Sequence, residues 1–126
     1  MLRSWSVILA LFVLSGSAFA ESPTLKRIAD SGMIRIGYVP DAPPLSFKDE
    51  DGNVVGYSID LCRHIASAIR FDLGLEKIDI EFKPLVSIED RIRAIEKGQV
   101  DIECGTSTVT LSRRERVDFT LMTFIT

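Results

Sequence analysis

Between Gly98 and Arg113 the chain brings several hydroxyl groups and a guanidinium to the end of a short apolar segment. Val100-Asp101-Ile102-Glu103-Cys104 reads as a strand. The next residues, 105–110, read as a loop carrying Thr106, Ser107, Thr108 and Thr110, and Arg113 stands where a helix begins. A helix start presents unpaired N–H groups and the positive end of a dipole, which favours an anion. Hydroxyls that donate or accept, with a guanidinium able to grip a carboxylate through two parallel bonds, complete such a site. The chemistry this supports is the holding of a small carboxylic acid. Taken alone, the same residues also describe a polar surface loop with a solvated arginine, since loops are commonly polar.

The elements that must position this loop follow from the hydrophobic pattern. Residues 24–31 predict a short helix in which Leu25 and Ile28 share a face and Ser31-Gly32 supplies the stop. Residues 33–39 predict a β-branched, mostly apolar strand. Three prolines among residues 40–44 then argue against regular structure, because proline lacks an N–H and fixes φ. Residues 45–47 and 54–57 flank Asp49-Glu50-Asp51-Gly52-Asn53 as a hairpin. Ile59, Cys62, Ile65, Ala66 and Ile69 recur at helical steps in a segment starting at Ser58 and closed near Gly74. Residues 78–82 alternate as a strand with one wet face. Ser87 with Asp90 caps a helix whose buried face is Ile88, Ile92 and Ile95, ended by Gly98. A helical turn over 112–116 and a strand over 121–125 follow.

Strands alternating with helices imply an α/β fold, a largely parallel sheet flanked by helices on both faces. In such sheets ligands sit beyond the carboxyl ends of the strands. The Pro-rich 40–44 loop and the hydroxyl-rich 105–110 loop both emerge there, so two unusual segments converge on one place.

Residues 1–20 read as a removable leader: Arg3 gives the positive start, residues 7–14 the apolar run, and Ala18-Phe19-Ala20 the small-x-small cleavage pattern. The apolar run is short for a membrane span. Cleavage is expected after Ala20, without a following Cys for lipid attachment, leaving residues 21–126 as an exported chain. Loss of Arg3 moves the formal net charge from −3 to −4, and the mixed, mildly acidic balance gives no case for nucleic-acid binding. Cys62 and Cys104 form an even pair in an exported chain, so a disulfide is possible. Two separately buried thiols explain them almost as well and are the expectation favoured here. The separation of these cysteines and the single histidine, His64, argue against a metal site, and no cofactor is expected.

These residues resemble the periplasmic solute-binding proteins of polar-amino-acid ABC transporters, the family 3 type. Leu25-Lys26-Arg27-Ile28-Ala29-Asp30-Ser31-Gly32 and the strand after it resemble the family's opening; Gly56-Tyr57-Ser58-Ile59-Asp60-Leu61 resembles its G-[FY]-x-x-D-L signature. Arg91-Ile92, Gly98-x-Val100-Asp101, Thr108-x-Thr110-x-x-Arg113 and Asp118-Phe119 resemble its most specific stretch. Glu103-Cys104-Gly105 followed by hydroxyls is most similar to the glutamate/aspartate-binding members. The resemblance implies a lobe of the type II periplasmic-binding-protein fold. It also implies a function: periplasmic capture of a polar, acidic amino acid for an inner-membrane ABC permease, by a protein that is monomeric at full length.

By the same resemblance Arg113 holds the ligand α-carboxylate, with the Thr108 hydroxyl, Ser107 and the Thr106 backbone beside it. Arg91 is directed at a side-chain carboxylate; its alternative is a helix-face arginine paired in water with Glu89 or another neighbour. Ala42 stands where many members have an aromatic ring, and Val39 where glutamate/aspartate binders place a second arginine. The family closes two lobes on its ligand, so residues 21–126 are expected to be most of the first lobe, poorly binding and prone to associate when alone. Cyclohexadienyl-dehydratase-like enzymes, lytic transglycosylases and sensor receptors carry similar lobes. No catalytic set stands out in this chain, so a non-enzyme is expected.

Overall fold

The computed structural model describes residues 22–121, so the leader expected over 1–20 lies outside the described residues. Helix α1 (Pro23–Ser31) starts on a proline, whose missing N–H would be unpaired at a helix start anyway. It ends at Gly32, left-handed at φ 65°. Strand β1 (Met33–Tyr38) follows, with Ile34, Ile36 and Tyr38 buried in one core cluster. The alternate residue Gly37 faces the opposite side, where a Cβ would collide with Leu85.

Three short strands, β2 (Asp41–Ala42), β3 (Ser46–Lys48) and β4 (Val54–Val55), make a separate antiparallel ribbon. Its turn is tied by Asp49, whose carboxylate accepts from the Asn53 backbone N–H (2.7 Å) and side-chain amide (3.0 Å). Strand β2 corrects the expectation that 40–44 holds no regular structure. Asp41 and Ala42 lie between the prolines, keep their own backbone groups, and pair with Phe47 and Ser46.

Helix α2 (Tyr57–Asp72) begins after Gly56, at φ 129°. A Cβ there would run into the backbone of Leu45 and Ser46, so the turn that launches α2 accepts only glycine. The expected stripe buries Ile59, Cys62 and Ala66, while Ile65 lies at its exposed edge. Strand β5 (Asp79–Pro84) leads to helix α3 (Ile88–Glu96), whose cap is as expected: the Ser87 hydroxyl accepts from the Asp90 N–H (3.1 Å). On α3, Ile92 and Ala94 are buried, with Ile88 and Ile95 half-buried.

Strand β6 (Ile102–Glu103) is shorter than the expected 100–104, because only these residues pair with Ile36 and Gly37. Helix α4 (Leu111–Arg114) is one turn, placed a residue earlier than expected because the Thr110 side chain caps it. The strand expected over 121–125 falls, apart from Leu121, outside the described residues.

The main sheet runs β5-β1-β6, all parallel. The chain passes from β1 to β5 on one side through α2, then back across to β6 on the other side through α3. One core, with Ile28, Ile59, Cys62 and Ala66, covers one face; Leu85, Ala94 and Val100 form the other. The reversal of strand order falls between β1 and β6. A crevice beyond the carboxyl ends of those two strands is where such sheets take ligands.

Cys62 and Cys104 form a disulfide, with Cα atoms 6.3 Å apart. This corrects the expectation of separate thiols. Packing of α2 on β1 sets Cys62 over the end of β6, within the bonding range that sequence spacing alone leaves open. At the opposite end of the sheet, Asp101 accepts from the Arg35 N–H (2.8 Å) and guanidinium (3.0 Å), and from Arg27. Burial opposes its ionisation, but these donors outweigh burial and hold its carboxyl below the ordinary value.

Candidate functional site

The site is built on the two loops at the switch in strand order. After β1, Val39 is buried at 7% exposure. Its N–H and carbonyl both bond the buried Ser46 hydroxyl at 2.9 Å, the first donating to it and the second accepting. That reciprocal pair fixes the Pro-rich loop against the ribbon. After β6, the Cys104 N–H donates to the Gly37 carbonyl (2.9 Å), and the Ser58 hydroxyl donates to the Gly105 carbonyl (3.0 Å). With the Cys62–Cys104 bond, α2 therefore holds the root of the 105–110 loop at two adjacent residues.

Both predicted arginines contact that loop. Arg113 donates from Nη1 to the Thr108 carbonyl at 2.7 Å, and its backbone N–H donates to the Thr110 hydroxyl at 3.3 Å. The guanidinium has five donors, so this contact orients it while further donors can meet a carboxylate. Helix α4 is a single turn, so the charge at this end comes from Arg113 rather than from a long dipole.

Arg91 donates to the carbonyls of Val86 (2.9 Å) and Leu85 (3.4 Å), and from Nη1 to the Ser107 hydroxyl (3.5 Å). Its alternative reading as a partner of Glu89 is corrected: Glu89 pairs with Arg93 (3.4 Å) and Arg116 (3.0 Å). The reason is placement, since Arg91 projects toward the carboxyl end of β5 while Glu89 lies on the exposed side of α3. Thr106 and Thr108 are exposed and Ser107 half-buried. The structure thus gathers Ser107 and Arg91, and Thr108 and Arg113, on one loop, with Thr106 beside them in the chain.

Two features take their character only from the structure, although Glu103 already stands out in the sequence within Glu103-Cys104-Gly105. Arg116 binds both Glu89 and Glu96 (2.7 Å), joining the segment after α4 to α3, and these carboxylates raise its already high pKa. An exposed pair of this kind adds little stability, yet it ties the element bearing Arg113 to the one bearing Arg91. Glu103 is the second. Burial pushes its carboxyl above the usual carboxylate range, against the opposing pull of the Ser107 hydroxyl, the Arg91 charge and the Gly105 N–H. Its Oε1 is sealed from water and accepts no hydrogen bond. A Cβ on Gly105 would overlap that oxygen and Val39 Cγ2, so glycine lets the loop lie over the carboxylate. A strand-end glutamate gives no local signal for either property.

Residues 34–125 match the bacterial extracellular solute-binding proteins, family 3. The chain is 33% identical to the L-glutamate/L-aspartate-binding protein of Pseudomonas aeruginosa, over 98% of the chain and 41% of that protein. It is 34% identical to the glutamine-binding protein of Geobacillus stearothermophilus, over 84% of the chain and 39% of that protein. Among solved structures, the ancestral amino acid-binding protein AncCDT-1, described as a precursor of cyclohexadienyl dehydratase, superposes with a TM-score of 0.66 at 33% identity. That superposition covers 78% of this chain and 40% of that one. The arginine-bound form of domain 1 from TmArgBP gives 0.59 at 25% identity, over 71% and 64% of the two chains. The chain spans about two fifths of the length of the curated relatives it matches.

Proposed function

The chain belongs to the bacterial extracellular solute-binding proteins of family 3, and from that premise we propose that it serves an amino-acid ABC transporter as its ligand-capturing lobe. The ligand is a polar amino acid with an acidic side chain, held by its α-carboxylate at Arg113 and by its side chain toward Arg91. The observation that carries this reading is that both arginines contact the single 105–110 loop at the switch in strand order. Two guanidiniums meeting one short loop at the adjacent residues Ser107 and Thr108 suit a ligand with two carboxylates. The glutamate/aspartate-binding relative supports the same choice, and the glutamine- and arginine-binding ones mark the competitors.

Calorimetric titration of the whole protein with glutamate, aspartate, glutamine and arginine tests this. Glutamate or aspartate is expected to bind at least tenfold more tightly than glutamine, roughly 1.4 kcal/mol or more. Preference for arginine or glutamine would overturn the acidic assignment. The captured ligand is handed unchanged to a permease in the inner membrane; binding without turnover fits relatives named for binding rather than reaction.

The same reading places the protein in the periplasm after cleavage following Ala20. N-terminal sequencing of periplasmic material is expected to begin at Glu21. An intact Met1 in the membrane fraction would reject export by a cleaved leader.

A further inference from the structure

Glu103 sits at the end of β6, opposite Gly37 in the parallel register, directly under the loop that carries the binding residues. One of its oxygens is shut away from water with no donor. An ionised carboxylate offers about four acceptor positions, so burying one oxygen unserved disfavours the charged form. What favours that form is the Ser107 hydroxyl, the Arg91 charge and the Gly105 N–H.

The surroundings define a small electrostatic unit. β1 contributes uncharged Gly37 as the register partner of Glu103, and uncharged Val39, just after β1, lies beside Gly105 with the Glu103 carboxylate; α2 contributes the Ser58 hydroxyl, through the Gly105 carbonyl, and the Cys62–Cys104 bond. From α3 comes Arg91, the charged group that acts on Glu103 among the described residues. The hydrogen-bond partners of Arg91 are in turn neutral: the carbonyls of Val86 and Leu85, and the Ser107 hydroxyl. Arg91, which reaches Ser107 at 3.5 Å, is thus the positive charge set against Glu103.

We propose that Glu103 is a specificity-determining residue, whose carboxylate offsets Arg91 in the empty site and accepts a proton from solvent when an acidic side chain occupies Arg91. This rests on the acidic-ligand reading given above. Two carboxylates sharing one guanidinium away from water repel, and the one that is already poorly served gives up its charge first. The proton comes from bulk water or buffer and settles on the Glu103 oxygen nearest Ser107, whose hydroxyl turns from donor to acceptor. The ligand carboxylate, with two oxygens free to meet the guanidinium, stays ionised. A neutral amide ligand brings no second charge and takes up no proton.

The sign of the pH dependence follows. Glutamate binding coupled to protonation strengthens as pH falls, by up to about tenfold per pH unit for one proton, until Glu103 is already protonated in the empty site. Glutamine binding stays flat over the same range.

The test is calorimetry of the whole protein at one pH in two buffers of different ionisation enthalpy, with glutamate and with glutamine. Uptake of close to one proton with glutamate and none with glutamine is expected. Glu103→Gln is expected to abolish the uptake, flatten the pH profile and raise the glutamate-to-glutamine affinity ratio. Glutamate binding without proton exchange in the wild-type protein, which needs no variant to observe, overturns the proposal alone. Uptake that survives in a folded Glu103→Gln protein does the same, assigning the proton elsewhere. Binding of glutamine or arginine in place of glutamate overturns the acidic-ligand reading and this proposal with it.

Discussion

Removal of the Cys62–Cys104 bond, in a Cys62→Ala/Cys104→Ala protein, is expected to lower stability by about 4 kcal/mol. The cross-link joins residues 42 apart in sequence. In the chain-entropy account a closed loop of that size restricts the unfolded ensemble by about this amount. Set against a typical total of roughly 5–15 kcal/mol, the loss is a large fraction. Chemical or thermal unfolding of wild type and double variant, each with and without reductant, measures it. Reductant should shift the wild-type transition and leave the variant unmoved. A wild-type transition insensitive to reductant would show that the bond contributes little. The same experiment bears on the candidate site, because Cys104 adjoins Gly105 and anchors the root of the 105–110 loop beside the Ser58 contact.

In the whole protein, Arg113→Ala is expected to remove amino-acid binding while leaving the fold in place. The fold should survive because α4 is capped by the Thr110 side chain rather than by the guanidinium, whose contact is the Thr108 carbonyl of the same loop. Binding should suffer because a charge-assisted, two-pronged contact to a carboxylate disappears. Losses of this kind run to about 2–5 kcal/mol, a factor of roughly thirty to several thousand in affinity. Calorimetry with the preferred ligand, beside a circular-dichroism melt of the variant, separates the two effects. Near-native affinity would return Arg113 to the role of a solvated loop residue. Arg91 offers the internal comparison: it is oriented by two carbonyls and Ser107, so its replacement should alter ligand preference more than it alters capture of the α-carboxylate.

What the sequence determined by itself is what near neighbours in the chain encode. Alternation of Ile34, Ile36 and Tyr38 specifies a strand with a buried face, and helical spacing of Ile59, Cys62 and Ala66 specifies a stripe that must pack on it. The Ser87–Asp90 cap and the Gly32 stop act over three or four residues and stand where the pattern puts them. Alternation of strands and helices then sends the 40–44 and 105–110 loops to the same sheet edge. Tertiary structure decided whatever depends on which distant surfaces meet. Cys62 bonds Cys104 because α2 docks over the end of β6, and a through-space distance is not written in a spacing of 42 residues. Glu89 meets Arg93 one turn along α3, and it meets Arg116 only because the segment after α4 runs back beside α3. Glu103 is an ordinary strand-end residue until Gly105 and Val39 close over it, and only that closure, which strips water from a carboxylate, gives it a chemistry of its own.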